Sequence, residues 1–426
     1  MFFHILLVVF SLQLIIIIHE VGHLLAAKWL KYPINGLHIG IGRAIYQCTL
    51  FNCPVSLKWL PFGGSVEIES LGEHDSWLRY TTVLIGGIVF NILLALVCFF
   101  CLHSIGFTAL KPYTKERTSM VSQMNDQSIQ TMGDLQTQLF RAYLNQSPIR
   151  ITYQNGDQKT VDHPGFSQKP FEDKWYQLLG ITPKKPRQTW SIAASKEPKL
   201  HKGDVILTIN NQPIKDWQDV RLWIQYNPGK TLEMQVKRGQ SIQLIKTFIP
   251  TVYWFNVIAV GQLGLIPDIK PLSPKDTIFI QYGLIQAMEA SFDLTLNTLL
   301  IQYLVIKNLI FGQLSLQMLT GPIGIIDALQ SGIHQGIQGY LLTLGLLSLA
   351  VAVINILPIP PLDGGQIVFK SIESISGRVI PKAYKRFIIE CILILIGIGV
   401  VLVTLNDIHL RLNSWQQEAK QYANPH

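Results

Sequence analysis

From residue 2 to residue 30 the chain is apolar almost without a break, and inside that run stands His19-Glu20-Val21-Gly22-His23. A run of this length satisfies the ~20 residues a helix needs to cross a bilayer. Two imidazoles and a carboxylate therefore sit at the foot of a membrane span, where ionisable groups are costly and mark function. On a helix, positions i and i+4 share one face, so His19 and His23 can reach one Zn(II) while Glu20 polarises a water beside it. The spacing implies zinc-dependent proteolysis inside the bilayer.

Residue usage agrees, since 48% hydrophobic against 15% charged residues leaves too little polarity for an ordinary soluble surface. Four segments have the length and polarity of spans: 2–30, 81–105, 338–362 and 387–405. The first carries the candidate metal site and is expected to remain as an uncleaved anchor. A further stretch, 284–311, is apolar but interrupted by Gln286, Glu289, Asp293, Asn297, Gln302, Lys307 and Asn308, as suits a helix lying on the membrane or packed on the protein. Lys28, Lys31, Arg43, Lys58 and Arg79 cluster around the first connection; Lys370, Arg378, Lys382, Lys385 and Arg386 lie between the last two spans. By the positive-inside rule both loops are cytoplasmic, with the N-terminus, the large central region and the C-terminal tail opposite. The net charge of +8 then needs no nucleic acid, and no module interleaves aromatic and basic residues.

The central region repeats itself. Residues 120–125 (MVSQMN) lie on 205–210 (VILTIN), Ile129 falls on Ile214 and Asp134 on Asp219, and Leu179-Gly180-Ile181-Thr182-Pro183 answers Leu263-Gly264-Leu265-Ile266-Pro267. Alternating strands followed by Asn-Gly or Arg-Gly turns argue for small β-rich modules. In the second copy, Leu200-His201-Lys202-Gly203-Asp204-Val205-Ile206 through Ile214 resembles the core of a bacterial PDZ domain; the first copy has Thr118-Ser119 in place of Gly203-Asp204 and is the more degenerate. Such modules either take an extended chain end as an added strand or act as a steric gate that binds no peptide. The expected organisation is two spans with a cytoplasmic strand loop (1–105), two PDZ-like domains (106–185 and 186–270), membrane-associated amphipathic helices (271–337), spans three and four (338–410) and a tail (411–426).

A catalytic zinc needs a third protein ligand. The third span ends in Asn355-Ile356-Leu357-Pro358-Ile359-Pro360-Pro361-Leu362-Asp363-Gly364-Gly365, where prolines break the helix and two glycines free the backbone beside one carboxylate. Irregular backbone at membrane depth is tolerated only where protein or water surrounds it. Both spans enter from the same side, and at ~1.5 Å per residue His19 and Asp363 reach similar depth near the cytoplasmic leaflet.

These residues, together with Pro61-Phe62-Gly63-Gly64-Ser65-Val66, the tandem repeat and Leu319-Thr320-Gly321-Pro322-Ile323, make the chain resemble the site-2 protease family of intramembrane zinc metalloproteases, in particular its bacterial sigma-E-regulating members. The resemblance implies a polytopic α-helical membrane protein of four spans, with two tandem PDZ-like β-rich domains between spans two and three. It implies one zinc held by His19, His23 and Asp363, Glu20 as general base, and a site near the cytoplasmic leaflet of a bacterial inner membrane. The implied substrates are single-span membrane proteins already shortened by another protease, typified by an anti-sigma factor in a stress response, and remnant signal peptides. Two positions depart from the family pattern A-G-P-x-x-N and L-D-G-G-H: Ile88 replaces the proline within Gly86-Gly87-Ile88-Val89-Phe90-Asn91, and Gln366 follows Gly365.

A helical substrate must be unwound before attack, and residues 61–68 read as a short strand whose Gly63, Gly64, Ser65 and Val66 offer an edge for strand addition. Asn355, beside Pro358, either holds the unwound peptide or satisfies carbonyls that the proline frees. Cys98 and Cys101 read as packing within the second span, Cys48 and Cys53 as reduced thiols, and Gly86, Gly87 and Asn91 as a helix contact. The rival reading is a membrane PDZ scaffold with a vestigial metal site. Retention of Glu20 and a site left open at its fourth position argue against it.

Overall fold

The computed structural model describes residues 2–50, 53–69, 71, 75–112, 119–162, 179, 181, 188–214, 217–254, 258–269, 277–314 and 321–423. Among them three helices are long and apolar enough to cross a membrane: α1 (Phe2–Trp29, apolar from Leu6), α2 (Trp77–Ile105), and a third one at Gly336–Ile356. Water-free packing between such helices rests on close approach, because lipid is as apolar as leucine. α1 crosses α2 at Gly22 and Gly86, where a Cβ on Gly22 would lie 2.3 Å from the Gly86 carbonyl oxygen. Ile88 leaves α2 unbroken and is itself buried. On the far side of α2, Phe99 fills the space over Gly345, and Cys98 packs with Ile15 and Leu344, as its place in the apolar run implied. All five cysteines are free thiols.

Between α1 and α2 the chain makes β1 (Ile34–Leu50) and β2 (Cys53–Ile68), each bent on itself. The register makes four strand segments of them, because His38 pairs with both Ser65 and Ser56 while Gln47 also pairs with Ser56. Gly40 and Gly42, both at positive φ, supply the bend, since only glycine takes that conformation freely. Segment 64–68 lies at the outside of the resulting order and has no second strand partner among the described residues.

The central region holds two modules that share a strand-strand-helix-strand-strand order, to which the second adds further strands. The first has β4 (Val121–Met124), β5 (Gln127–Ser128), α3 (Met132–Asn145), β6 (Ile149–Tyr153) and β7 (Gln158–Val161), following β3 (Phe107–Leu110). The second has β8 (Gln188–Ser195), β9 (Val205–Ile209), β10 (Gln212–Pro213), α4 (Trp217–Gln225), β11 (Thr231–Arg238), β12 (Ser241–Phe248), the hairpin β13 (Thr251–Trp254) and β14 (Ile258–Gly261), and β15 (Leu265–Ile269). The repeat extends to single hydrogen bonds. Asn125 and Asn210 both adopt positive φ, donate their backbone N–H to the carbonyls of Arg150 and Glu233, and accept those residues' own N–H groups on Oδ1. The sheets run β5-β4-β6-β7 and β12-β11-β9-β8-β15, with cores around Met124, Leu135, Ile149 and Ile151, and around Ile206, Ile209, Met234 and Val236. Where the second module ties Arg238 bidentately to Asp204 (2.8 and 2.7 Å), the first has Tyr153, whose hydroxyl donates to the Leu179 carbonyl at 2.8 Å. Arg238 holds the Asp204 carboxyl below the usual carboxylate range. Thr118, Gly180, Thr182, Pro183, Leu319 and Thr320 lie outside the described residues.

After β16 (Thr277–Ile280), which pairs with β3, the interrupted apolar stretch is α5 (Leu284–Ile310). It packs on protein. Leu294 and Leu299 join Ala95 and Phe99 of α2, while Leu304 enters the core of the first module and Asn308 donates to the Leu144 carbonyl at 3.0 Å. α6 (Pro322–His334) then leads into α7, the third apolar helix (Gly336–Ile356). The expected span to residue 362 stops six residues early. Pro358 has no N–H and forces Leu357 into extended backbone (φ −60°, ψ 140°), so apolarity continues but the helix does not. A new helix, α8 (Asp363–Ser376), starts at the aspartate itself. Residues 387–405 fall within α9 (Lys382–Ala423), with Phe387, Leu393, Ile394, Leu395 and Ile398 exposed along it.

Candidate metal centre

One face of α1 presents His19 and His23, as their spacing requires. Asp363, at the first position of α8, meets them there. His19 Nε2 and His23 Nε2 stand 3.1 Å apart, and Asp363 Oδ2 lies 3.1 Å from the former and 3.4 Å from the latter. All three side chains are buried. A tetrahedral ion with bonds of ~2.0–2.1 Å separates its ligands by about 3.3 Å, so this triangle has the dimensions of one face of a zinc site. Among the described residues it is the one cluster of at least three His, Cys, Asp or Glu donors within reach of a common ion, and no fourth such residue joins it.

The polar atoms behind the triangle fit a metal too. His23 Nδ1 lies 2.9 Å from the Val83 carbonyl, an acceptor only, so that nitrogen carries the proton and Nε2 keeps its lone pair for an ion. His19 Nδ1 is 3.2 Å from the Asn91 side-chain amide, whose Oδ1 is buried without a partner. Turning that amide end for end gives the protonated Nδ1 its acceptor and leaves Nε2 free for metal. Asp363 Oδ2 likewise lacks a hydrogen-bond partner, as a ligand oxygen would.

Neighbouring glycines make room for the centre. A Cβ on Gly87 would lie 2.6 Å from His23 Nε2 and 2.7 Å from His19 Cε1. Gly364 and Gly365 are absent from the positive-φ residues; their part is close approach, because a Cβ would lie 2.2 Å from the Ile356 carbonyl oxygen and 2.3 Å from the Pro360 nitrogen respectively. That corrects the expectation that they free the backbone. Trp77 Nε1 donates to Ser371 Oγ at 2.7 Å and Tyr80 to Gln366 Oε1 at 3.2 Å, fixing α8 to the start of α2. Gln366 also donates to the Pro361 carbonyl, so the departure from the family pattern serves as a brace.

Glu20 turns towards β2. A Cβ on Gly64 would sit 2.8 Å from Glu20 Cγ, and the Val66 amide bonds the Glu20 carboxylate. Gln13, one helical face with Glu20, donates from Nε2 to the Gly63 carbonyl at 2.9 Å. Ser65 is exposed. Asn355 donates to the Val351 carbonyl one turn back (3.0 Å), and Pro358 is exposed at the start of the break. Asn91, expected as a helix contact, also faces His19 Nδ1, and Gln13 is a further polar residue of the site that motif spacing does not pick out. The polar character of each within an apolar run was the available signal.

A family model described as Peptidase family M50 matches residues 7–399. The Regulator of sigma-E protease RseP of Salmonella typhimurium is 25% identical over 436 residues, covering 94% of this chain and 97% of that protein. Its namesake in Escherichia coli is 25% identical over 434 residues, covering 93% and 96%. The Zinc metalloprotease RasP of Oceanobacillus iheyensis is 30% identical over 220 residues, 50% of this chain and 49% of its own length. The resemblance drawn from the motifs is borne out.

Proposed function

This chain belongs to peptidase family M50 and is a zinc metalloprotease, and from that premise we propose that it cleaves single-span membrane proteins within the bilayer, with His19, His23 and Asp363 as zinc ligands and Glu20 as general base. The reading is carried by the triangle of buried donors at 3.1, 3.1 and 3.4 Å, drawn from α1 and the break after α7, with Glu20 adjoining His19. Zinc held there supplies Lewis acidity, bringing the pKa of a water to roughly 7 and polarising a carbonyl. Glu20 takes the proton of the attacking water and returns it to the departing amine. The Val66 N–H orients the carboxylate for both transfers.

Helical substrates bury their carbonyls in intrahelical bonds. The outer strand through Gly63, Gly64, Ser65 and Val66, which has no second strand partner among the described residues although Gln13 bonds the Gly63 carbonyl and Glu20 the Val66 N–H, receives the unwound chain alongside it, and Asn355 and Pro358 are a second holding point. Residues 387–405 make a fourth crossing, the two central modules are PDZ-like, and both lie with the N-terminus on the side opposite the basic loops. Two relatives carry sigma-E regulation in their names. In keeping with those names, and as the motif resemblance implies, the proposed substrates are of the anti-sigma-factor type, already shortened by another protease, with remnant signal peptides as a further class.

The test is cleavage of a truncated single-span protein in detergent by the native protein, by Glu20→Gln, and by the native protein with chelator. Loss of general-base help lowers the rate 10²–10⁴-fold, and chelation abolishes it until zinc is restored. Equal rates for native and Glu20→Gln would remove Glu20 from the chemistry, and no product from either would favour the scaffold reading.

A further inference from the structure

We propose that Gln13 grips the backbone of the unwound substrate, its side-chain carbonyl accepting a substrate N–H about three residues from the scissile bond. The inference rests on the proteolytic reading above. Gln13 is 7% exposed in the middle of the first apolar helix. A buried amide is expensive there unless both ends are bonded. Its Nε2 donates to the Gly63 carbonyl at 2.9 Å, and because a carbonyl only accepts, that bond fixes which end of the amide is nitrogen. Oε1 is left buried with no hydrogen-bond partner. Anchoring Gly63 explains the nitrogen and not the oxygen.

Gln13 stands two turns before Glu20 on the same helical face, about 10.5 Å along the axis at ~1.5 Å per residue. β2 runs beside that face in the same direction: Gly63 meets Gln13, Gly64 lies against Ile16 and Glu20, and Val66 bonds Glu20. An extended chain advances ~3.3 Å per residue, so three residues span the interval from Glu20 to Gln13. A peptide added to this edge with its scissile carbonyl at Glu20 therefore brings a backbone N–H level with Oε1, on the side deeper in the membrane. Opening the groove to admit the peptide supplies the missing partner.

The test replaces single backbone amides of a single-span peptide substrate by esters, removing one N–H at a time, and measures KM and kcat in detergent for the native protein and for Gln13→Met. One ester, about three residues from the scissile bond, is expected to raise KM roughly tenfold with the native protein and to carry no penalty with Gln13→Met. Esters that disturb pairing with residues 63–66 should cost both proteins alike. A flat scan near that position with the native protein, or the same penalty in Gln13→Met, overturns the proposal. If Gln13→Met does not fold, a photoreactive diazirine at the same substrate position is used with Glu20→Gln, which binds without turning over. Labelling of the segment containing Gln13 upholds the contact and labelling elsewhere sinks it. Failure of the native protein to cleave the all-amide peptide counts against the proteolytic reading, and the photolabel still reports on Gln13.

Discussion

Replacing Gly87 with alanine adds one methyl group to α2, at the point where that helix faces the two imidazoles. The new carbon would lie 2.6 Å from His23 Nε2 and 2.7 Å from His19 Cε1. Ordinary contacts of this kind are about 3.5 Å, so imidazoles or helix must give by nearly 1 Å. Alanine favours the helix by about 1 kcal/mol over glycine, whereas overpacking a tight interior costs about 1–3 kcal/mol. Sterics win on stability by a small margin. The larger effect falls on the site, because a constellation of ligands tolerates roughly 0.5 Å of error and a 1 Å misplacement costs about 10²-fold in rate. Gly87→Ala is expected to accumulate as folded protein, to hold substoichiometric zinc by elemental analysis, and to cleave at least ~100-fold more slowly. Gly86→Ala is the control: its methyl meets the Gly22 carbonyl at 2.5 Å and Ala26 Cβ at 2.9 Å, so it strains the helix crossing one step from the ligands and lowers thermal stability first. Full zinc content and near-native rate in Gly87→Ala would refute the assignment of this cluster as the metal site.

Gly64→Ala presses on Glu20 Cγ from 2.8 Å, leaving the ligands alone, so kcat should drop while zinc stoichiometry stays native. Asn91→Leu removes the partner of His19 Nδ1; a loss of about 10–100-fold in zinc affinity is expected by competition with a fluorescent chelator. Asp204 is 1% exposed, and its depressed carboxyl pKa makes its contribution complete above the unfolded value near pH 4 and lost as pH falls through the lower folded value. Pepsin should therefore open the second module of the native chain more readily as pH is lowered through that window, while Asp204→Asn, weaker by about 1–3 kcal/mol at neutral pH, shows less of this dependence.

The candidate metal cluster was legible because each of its parts leaves a local trace: i, i+4 imidazoles on a helix, and a carboxylate beside prolines that must break one. The two β modules were legible through their turns, since Asn125 and Asn210 occupy the same strained position in both copies. Other features hid for physical reasons. Hydropathy carried the third span to residue 362 because it registers side chains, and the loss at Pro358 is a backbone N–H. Asn91 lies on a face that spacing identifies, but spacing does not say that His19 stands across from it. The doubling back of β1 and β2 depends on which segments pair, and the alternation of Gly40, Gly42 and mixed side chains leaves that register open.

The triangle takes two corners from α1 and its third from a residue that follows the last of the three apolar helices. During synthesis the ribosome therefore delivers both imidazoles, then α2 and both β modules, long before Asp363 exists. A chain cut short before Asp363 lacks the third corner of the proposed zinc site, so that site is assembled only after all three apolar helices have been made.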